Sequence, residues 1–187
     1  EKDQRLLGGL QPLLLCLEYA LKADALEGGS WCQSNEGQRY NMILNPLGKL
    51  LQGKIPSSLK LVSTDSSVSS YQQLVEGIGT EESGNVVGCI TALAAAAGDE
   101  QLWKPLNTAV LDACGNEHRG EVRKAGVRCL LSLIKALGEE YMVLLPECLP
   151  VLSELLEDTD EETAAFAKEC VALGEELLGE SLEDSLR

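Results

Sequence analysis

Hydrophobic residues recur every three or four positions along most of the chain. In residues 3–25 this spacing is carried by Leu6, Leu10, Leu13, Leu14, Leu17 and Leu21. Such spacing places the side chains on one face of an α-helix. A second apolar pattern covers residues 40–51, and another covers residues 86–97. Leu and Ala outnumber Val and Ile, which favours helices because β-branched residues lose rotamer freedom there. The sequence therefore predicts an all-α protein.

A Ser-rich segment interrupts this pattern at residues 57–70, which contain seven Ser. So few apolar side chains cannot offset the entropy lost on ordering, and we expect a flexible loop. We interpret it as a surface insertion, with a phosphorylated regulatory segment as the alternative. The predicted organisation is N-terminal helices in residues 1–56, the loop in 57–70, and repeated helices in 71–187 that end in an acidic C-terminal cap.

Residues 99–178 contain an internal repeat. A shift of 41 positions superposes Pro105 on Pro146, Cys129 on Cys170, and Gly138 on Gly179. Each copy reads as an apolar helix, a polar turn and a second apolar helix closed by Gly. Helix pairs with a period of ~40–47 residues are typical of HEAT and armadillo units, which bury their apolar faces by stacking. The sequence predicts a HEAT/armadillo-like α-solenoid, with helices at 99–114, 118–137, 141–157 and 160–178.

The polar turns of the two copies predict specific contacts. Val122 and Arg123 follow the first turn, where HEAT units commonly carry a Val-Arg pair. We expect Val122 to pack inward and Arg123 to reach a carboxylate of the second turn, Asp158 or Asp160. The same two aspartates are candidates to cap the last helix by accepting backbone N–H groups. Trp103 is expected in the core.

The charge is strongly acidic but uneven. The chain has 15 Lys and Arg against 30 Asp and Glu, a net charge of −15, which disfavours general binding of nucleic acid. Lys124, Arg128 and Lys135 nevertheless fall on one side of a predicted helix, opposite its apolar stripe. We call them the basic ridge. They are candidate partner-binding residues for an acidic protein segment or an RNA phosphate, and the alternative is a face neutralised by the acidic last helix.

Residues that would support catalysis or a bound cofactor are not evident. His118 is the only His, so a Cys-His or Ser-His-Asp arrangement has little support. The acidic turn at residues 157–162 lacks the central Gly of a calcium loop, and no phosphate-binding motif occurs. We expect no enzyme activity, cofactor, metal site or small-molecule substrate. The apolar runs are too short to span a bilayer, so no membrane partner is expected.

The seven Cys stand singly, without a C-x-x-C pair. Most lie beside Leu, Val or Ala, where a free thiol behaves as a small buried hydrophobe. We therefore expect free thiols in a reducing compartment. Cys129 and Cys170 should occupy equivalent buried positions in the two copies.

Three segments resemble a known family. LWKPLN at residues 102–107, GEEY at 138–141 and LLPE at 144–147 are similar to the C-terminal region of the HEAT-repeat proteins associated with U3 small nucleolar RNA. The resemblance covers about residues 85–180. It implies a non-catalytic scaffold of the small-subunit processome in the nucleolus, acting in ribosomal RNA transcription and pre-18S rRNA processing. The implied partners are other protein subunits, with weak or indirect contact to U3 RNA or pre-ribosomal RNA.

Two alternative functions remain open from the residues alone. The first is a module that contacts RNA directly through the basic ridge. The second is an unrelated HEAT-type adaptor in transport, for which a solenoid sequence looks much the same.

Overall fold

The computed structural model describes residues 2–35, 37–54, 70–76, 84–182 and 185–186. No strand occurs in these ranges, and the predicted all-α fold class is confirmed. The α-helices are α1 (Lys2–Leu26), α2 (Gln38–Leu51), α3 (Ser70–Glu76), α4 (Val86–Ala97), α5 (Glu100–Cys114), α6 (Gly120–Leu137), α7 (Leu145–Leu155) and α8 (Glu161–Leu178). None of the helices in the described part of the chain is both long and apolar enough to cross a membrane.

The helix boundaries predicted around the repeat agree with α5, α6 and α8 to within two residues. The predicted helix at 141–157 is wrong at its start. A 3-10 helix occupies Gly138–Leu144, and α7 begins only at Leu145. Pro146 explains the difference, because its ring would clash inside a longer α-helix but is tolerated in a first turn.

The chain forms two compact units, Glu1–Gly98 and Asp99–Arg187. The Ser-rich segment lies outside the described residues except for Ser70, which begins α3. The predicted domain boundaries at residues 56 and 71 therefore stay a prediction.

In the first unit, α4 is the central helix and packs against α1, α2 and α3. Most residues of α4 are buried, and most of their side chains are small or β-branched. Asn85 caps its start, since the side chain accepts a hydrogen bond from the Gly88 backbone at 2.7 Å. Gly98 ends it with a left-handed φ of 53°, as is common at a helix C-terminus.

Two glycines four residues apart lie where α1 packs on α4. A Cβ at Gly84, just before α4, would lie 2.0 Å from the Leu15 backbone nitrogen. At Gly88 it would lie 2.6 Å from the Glu18 carboxylate. The Cys89 thiol donates a hydrogen bond to the Leu14 carbonyl at 3.2 Å. At Gly84 the backbone therefore approaches α1 more closely than a larger residue would permit, whereas at Gly88 the Glu18 side chain could move aside.

The turn between α1 and α2 is folded around one carboxylate. Asp24 accepts hydrogen bonds from the backbone nitrogens of Trp31 at 2.9 Å and Cys32 at 3.0 Å. The Gln33 amide donates to the Ala97 carbonyl at 2.9 Å. This turn is thereby attached to the end of α4.

The second unit consists of two helix pairs. α5 packs on α6, α7 packs on α8, and α6 also packs on α8. Gly138 and Gly179, superposed by the 41-residue shift, end α6 and α8 with φ angles of 57° and 71°. The paired helices and their equivalent ends are those of a HEAT-like solenoid.

The core of the second unit is built from α5, α6, the 3-10 helix, α7 and α8. Trp103 and Val122 are buried, as predicted, and so are Cys129 and Cys170. A Cβ at Gly126 would lie 2.6 Å from the Cys114 backbone nitrogen. The crossing of α5 and α6 therefore requires glycine at this position.

Candidate functional site

The basic ridge lies along the face of α6 that meets α8. Lys124 Nζ is 2.7 Å from Glu162 Oε2 and 3.3 Å from Asp160 Oδ2, and its side chain is only 17 % exposed. Lys135 Nζ is 2.6 Å from Glu169 Oε1, with its side chain 54 % exposed. The hydrogen bond to Glu162 raises the pKa of Lys124. Lys124 and Lys135 are therefore paired with carboxylates of α8 or of its N-cap residue.

Arg128, the middle residue of the ridge, lies over an aromatic ring. Its guanidinium lies 5.3 Å from the centroid of Phe166 in α8. At this distance a cation is attracted by the negative face of the ring. The pairing of Lys124 and Lys135 with carboxylates of α8 agrees with the alternative interpretation, a face neutralised by the acidic last helix. The role of the ridge in binding a partner stays a prediction.

A second contact joins the two polar turns, and we call it the Arg123 clasp. Arg123 Nε donates to Asp158 Oδ2 at 2.6 Å, and Nη2 donates to Oδ1 at 3.2 Å. Nη1 also donates to the Asn116 carbonyl at 3.0 Å. The predicted pairing of Arg123 with a carboxylate of the second turn is confirmed. The two parallel bonds fix the guanidinium plane as well as its position.

The clasp includes the turn that precedes α8. Asp158 Oδ1 accepts a hydrogen bond from the Asp160 backbone nitrogen at 2.9 Å, which orders this turn. Asp160 occupies the N-cap position of α8 but makes no side-chain capping hydrogen bond to the helix backbone, so the predicted cap is wrong in this respect. Asp160 Oδ2 accepts from the Thr163 hydroxyl at 2.8 Å. The Arg123 guanidinium holds the pKa of Asp158 below its usual value. The carboxylate that positions the last helix is therefore also the one that binds the preceding helix pair.

Replacing Arg123 by Ala should lower the free energy of unfolding by about 2 kcal/mol at pH 7, because it leaves the nearly buried Asp158 carboxylate without its cation. The pKa of Asp158 is lower in the folded chain, so the clasp contributes fully above the ordinary pKa of 3.8. That contribution declines as pH falls through the folded pKa. Urea unfolding between pH 7 and pH 2.5 should show the wild-type and variant stabilities converging.

The matched control for this experiment is Arg119→Ala. Arg119 pairs with Glu121, and both side chains are 37 % exposed. An exposed pair of this kind is worth less than about 1 kcal/mol. Equal losses for the two variants would contradict a specific role for the clasp.

A buried polar network, which the sequence reasoning missed, joins the two helix pairs. Asn107 in α5 is fully buried. Its Oδ1 accepts from the Tyr141 hydroxyl at 2.6 Å and from the Cys148 thiol at 3.5 Å. Its Nδ2 donates to Glu147 Oε2 at 3.1 Å. The sequence does contain one indication that Asn107 is buried, because it lies four residues after Trp103 and therefore on the apolar face of α5.

The cysteines match the expected character of buried thiols. Cys16 is exposed, whereas the other six are buried and all seven are free. Burial raises the pKa of Cys148 and of Cys170 to about 12. These thiols stay protonated at neutral pH and are poor nucleophiles. Among the described residues, no group of His, Cys, Asp and Glu is arranged to hold a metal ion.

Several known proteins are similar to this chain. An uncharacterized protein of Arabidopsis thaliana is 35% identical over 147 residues, which is 79% of this chain. HEAT repeat-containing protein 1 of Homo sapiens is 37% identical over 99 residues, or 53% of the chain. U3 small nucleolar RNA-associated protein 10 of Coccidioides immitis is 41% identical over 104 residues, or 52% of the chain.

The matched region is a small part of each relative. It spans 6%, 5% and 6% of the length of these three proteins. No family model matches the chain, and no solved structure matches it. The sequence similarity and the stacked helix pairs together confirm the predicted resemblance to the HEAT-repeat proteins associated with U3 small nucleolar RNA.

Proposed function

We propose that this chain is a non-catalytic scaffold segment of the U3 small-subunit processome. The observation that carries the proposal is its 41% identity over 104 residues to a U3 small nucleolar RNA-associated protein. In this role the chain acts in the nucleolus, in ribosomal RNA transcription and pre-18S rRNA processing. Its direct partners are other protein subunits of the processome.

The structure of the second unit supports a scaffold role. Stacked helix pairs present extended surfaces, and each pair contacts only its neighbours. The Arg123 clasp and the Asn107 network both connect one pair to the next. Contacts of this kind hold the pairs in a fixed arrangement, which a platform for other proteins requires.

Direct contact with RNA through the basic ridge is a second candidate function. Its support is the grouping of Lys124, Arg128 and Lys135 on one face of α6. For RNA to bind there, phosphates would have to replace Glu162 and Glu169 as the partners of the two lysines. The surrounding acidic side chains oppose that exchange, so we favour a protein partner.

Affinity purification from nuclear extract, with the 187-residue chain as bait, tests both candidates. Under the scaffold proposal, processome proteins co-purify with the chain and remain bound after ribonuclease treatment. Under the RNA proposal, ribonuclease removes them, and the affinity of the purified chain for RNA falls steeply as salt rises. Recovery of transport proteins in place of processome subunits would overturn both.

Reversing all three ridge residues to Glu separates partner binding from internal pairing. The variant should melt at a lower temperature in either case, because Glu at positions 124 and 135 would face Glu162 and Glu169. If the ridge also binds a partner, the variant should lose co-purifying proteins at a temperature where it is still folded. If α8 merely neutralises the ridge, the folded variant should keep its partners. Lys49→Glu is the control, since Lys49 is an exposed cation of the first unit.

A further inference from the structure

A stripe of residues on α1 and the first residue after it has the spacing of a helix-packing seam. Its members follow one another at alternating intervals of four and three residues: Leu13, Leu17, Ala20, Asp24 and Glu27. This is the spacing of the a and d positions of a heptad, which face a partner helix. Leu13 is 66 % exposed. The α1 stripe is about 20 Å long at 1.5 Å per residue.

A cavity of about 360 Å³ opens beside the middle of this stripe. Its lining comes from α1, the following turn and α2, and includes Leu17, Ala20, Leu21, Trp31 and Ile43. Trp31 is 46 % exposed, and the Arg39 guanidinium lies 5.2 Å from its ring centroid. The lining of the cavity is therefore mostly apolar and includes a half-exposed aromatic ring. Its volume is sufficient for one or two large apolar side chains.

Two carboxylates stand at one end of the cavity. Asp24 and Glu27 both line it, and no Lys or Arg does. The hydrogen bonds from Trp31 and Cys32 fix the Asp24 carboxylate in place. Partial burial opposes ionisation, but these bonds hold the pKa of Asp24 below its usual value. The site thus combines an apolar surface with a fixed negative charge, which repels phosphate and attracts a cation.

We propose that the α1 stripe and its cavity bind an amphipathic helix of a partner protein, with large apolar residues on one face and Lys or Arg at the end that meets Asp24 and Glu27. The length of the stripe fits a helix of about four turns better than a compact small molecule. The apolar residues of the partner helix enter the cavity, and its Lys or Arg forms an ion pair with the two carboxylates. This inference concerns the first unit and does not rest on the function proposed above.

The test uses two fluorescently labelled 15-residue peptides. The first carries Leu on one face and Arg at both ends, so that either orientation can place a cation at Asp24. The second has Glu in place of each Arg. Fluorescence anisotropy with the 187-residue chain should show the Arg peptide binding at least about threefold more tightly, the factor expected from one partly exposed ion pair. Equal affinity of the two peptides would contradict the proposed charge recognition.

Two variants of the chain locate the peptide. Ala20→Arg fills the cavity mouth from an exposed position and should weaken binding of the Arg peptide at least tenfold without lowering the melting temperature. Glu27→Gln should reduce the preference for Arg over Glu peptides. Glu117→Gln, an exposed acidic residue of the second unit, is the matched control and should leave binding unchanged. Undiminished binding to Ala20→Arg would overturn the site.

Sedimentation of the chain alone tests whether a second copy of the chain, and not a partner helix, covers the α1 stripe. If a second copy of the chain covered the α1 stripe, the wild type would sediment as a dimer and Ala20→Arg as a monomer. That result would overturn the proposal, because the stripe would then be a dimer interface. A monomeric wild type that binds the Arg peptide supports the proposal.

Discussion

Replacing Gly29 by Ala is expected to lower the free energy of unfolding of the first unit by about 3 kcal/mol. Gly29 has a left-handed φ of 70°, which disfavours any residue with a Cβ. A Cβ there would also lie 1.9 Å from the Ala96 carbonyl oxygen at the end of α4. The turn must therefore move away from α4, and the Gln33 hydrogen bond to Ala97 should be lost with it.

Gly28→Ala separates the cost of the left-handed backbone from the cost of the clash with α4. Gly28 has a similar φ of 82°, but nothing lies within 4 Å of the position of its Cβ. This variant should lose only about 1 kcal/mol, the cost of the left-handed backbone. Urea unfolding followed by circular dichroism measures both variants. Equal losses would show that close packing against α4 does not matter.

Replacing Cys129 by Asp should destabilise the second unit by about 4 kcal/mol. Cys129 is fully buried in α6, and burial is what raises the pKa of its thiol. The burial that raises the pKa of the native thiol would act on the new carboxyl group in the same sense. The melting temperature of the chain reports the loss.

Two substitutions control for this experiment. Cys129→Ala removes the thiol without adding a charge and should cost much less, because only a small side chain is lost. Cys16→Asp introduces the same carboxylate at the exposed cysteine of α1 and should change stability little. An unchanged melting temperature for Cys129→Asp would mean that the residue is not in the core.

The helices of the second unit could be predicted because several local signals agree. The apolar period of 3.6 residues, the polar turns and the closing glycines all mark the same boundaries of α6 and α8. The 41-residue shift added the equivalence of Cys129 and Cys170. It also placed Arg123 near the second turn, so that the clasp could be expected.

Other features depend on contacts between distant segments and have no local pattern. The role of Asn107 requires Tyr141 and Cys148 to arrive at the same point of the core. The need for glycine at Gly126 arises only where α6 crosses α5. The coverage of the basic ridge by α8 depends on the rotation of one helix against another, which helical periodicity does not specify.

The Arg123 clasp has a consequence for how the second unit unfolds. In a solenoid, cooperativity comes from the coupling between adjacent repeats, since each repeat alone is marginal. The clasp is a two-bonded link across such a boundary. It adds to the coupling that the packing of α6 on α8 and the Asn107 network also provide. Once it is broken, the α7–α8 pair should be the first part of this unit to open locally, while global unfolding remains a single transition.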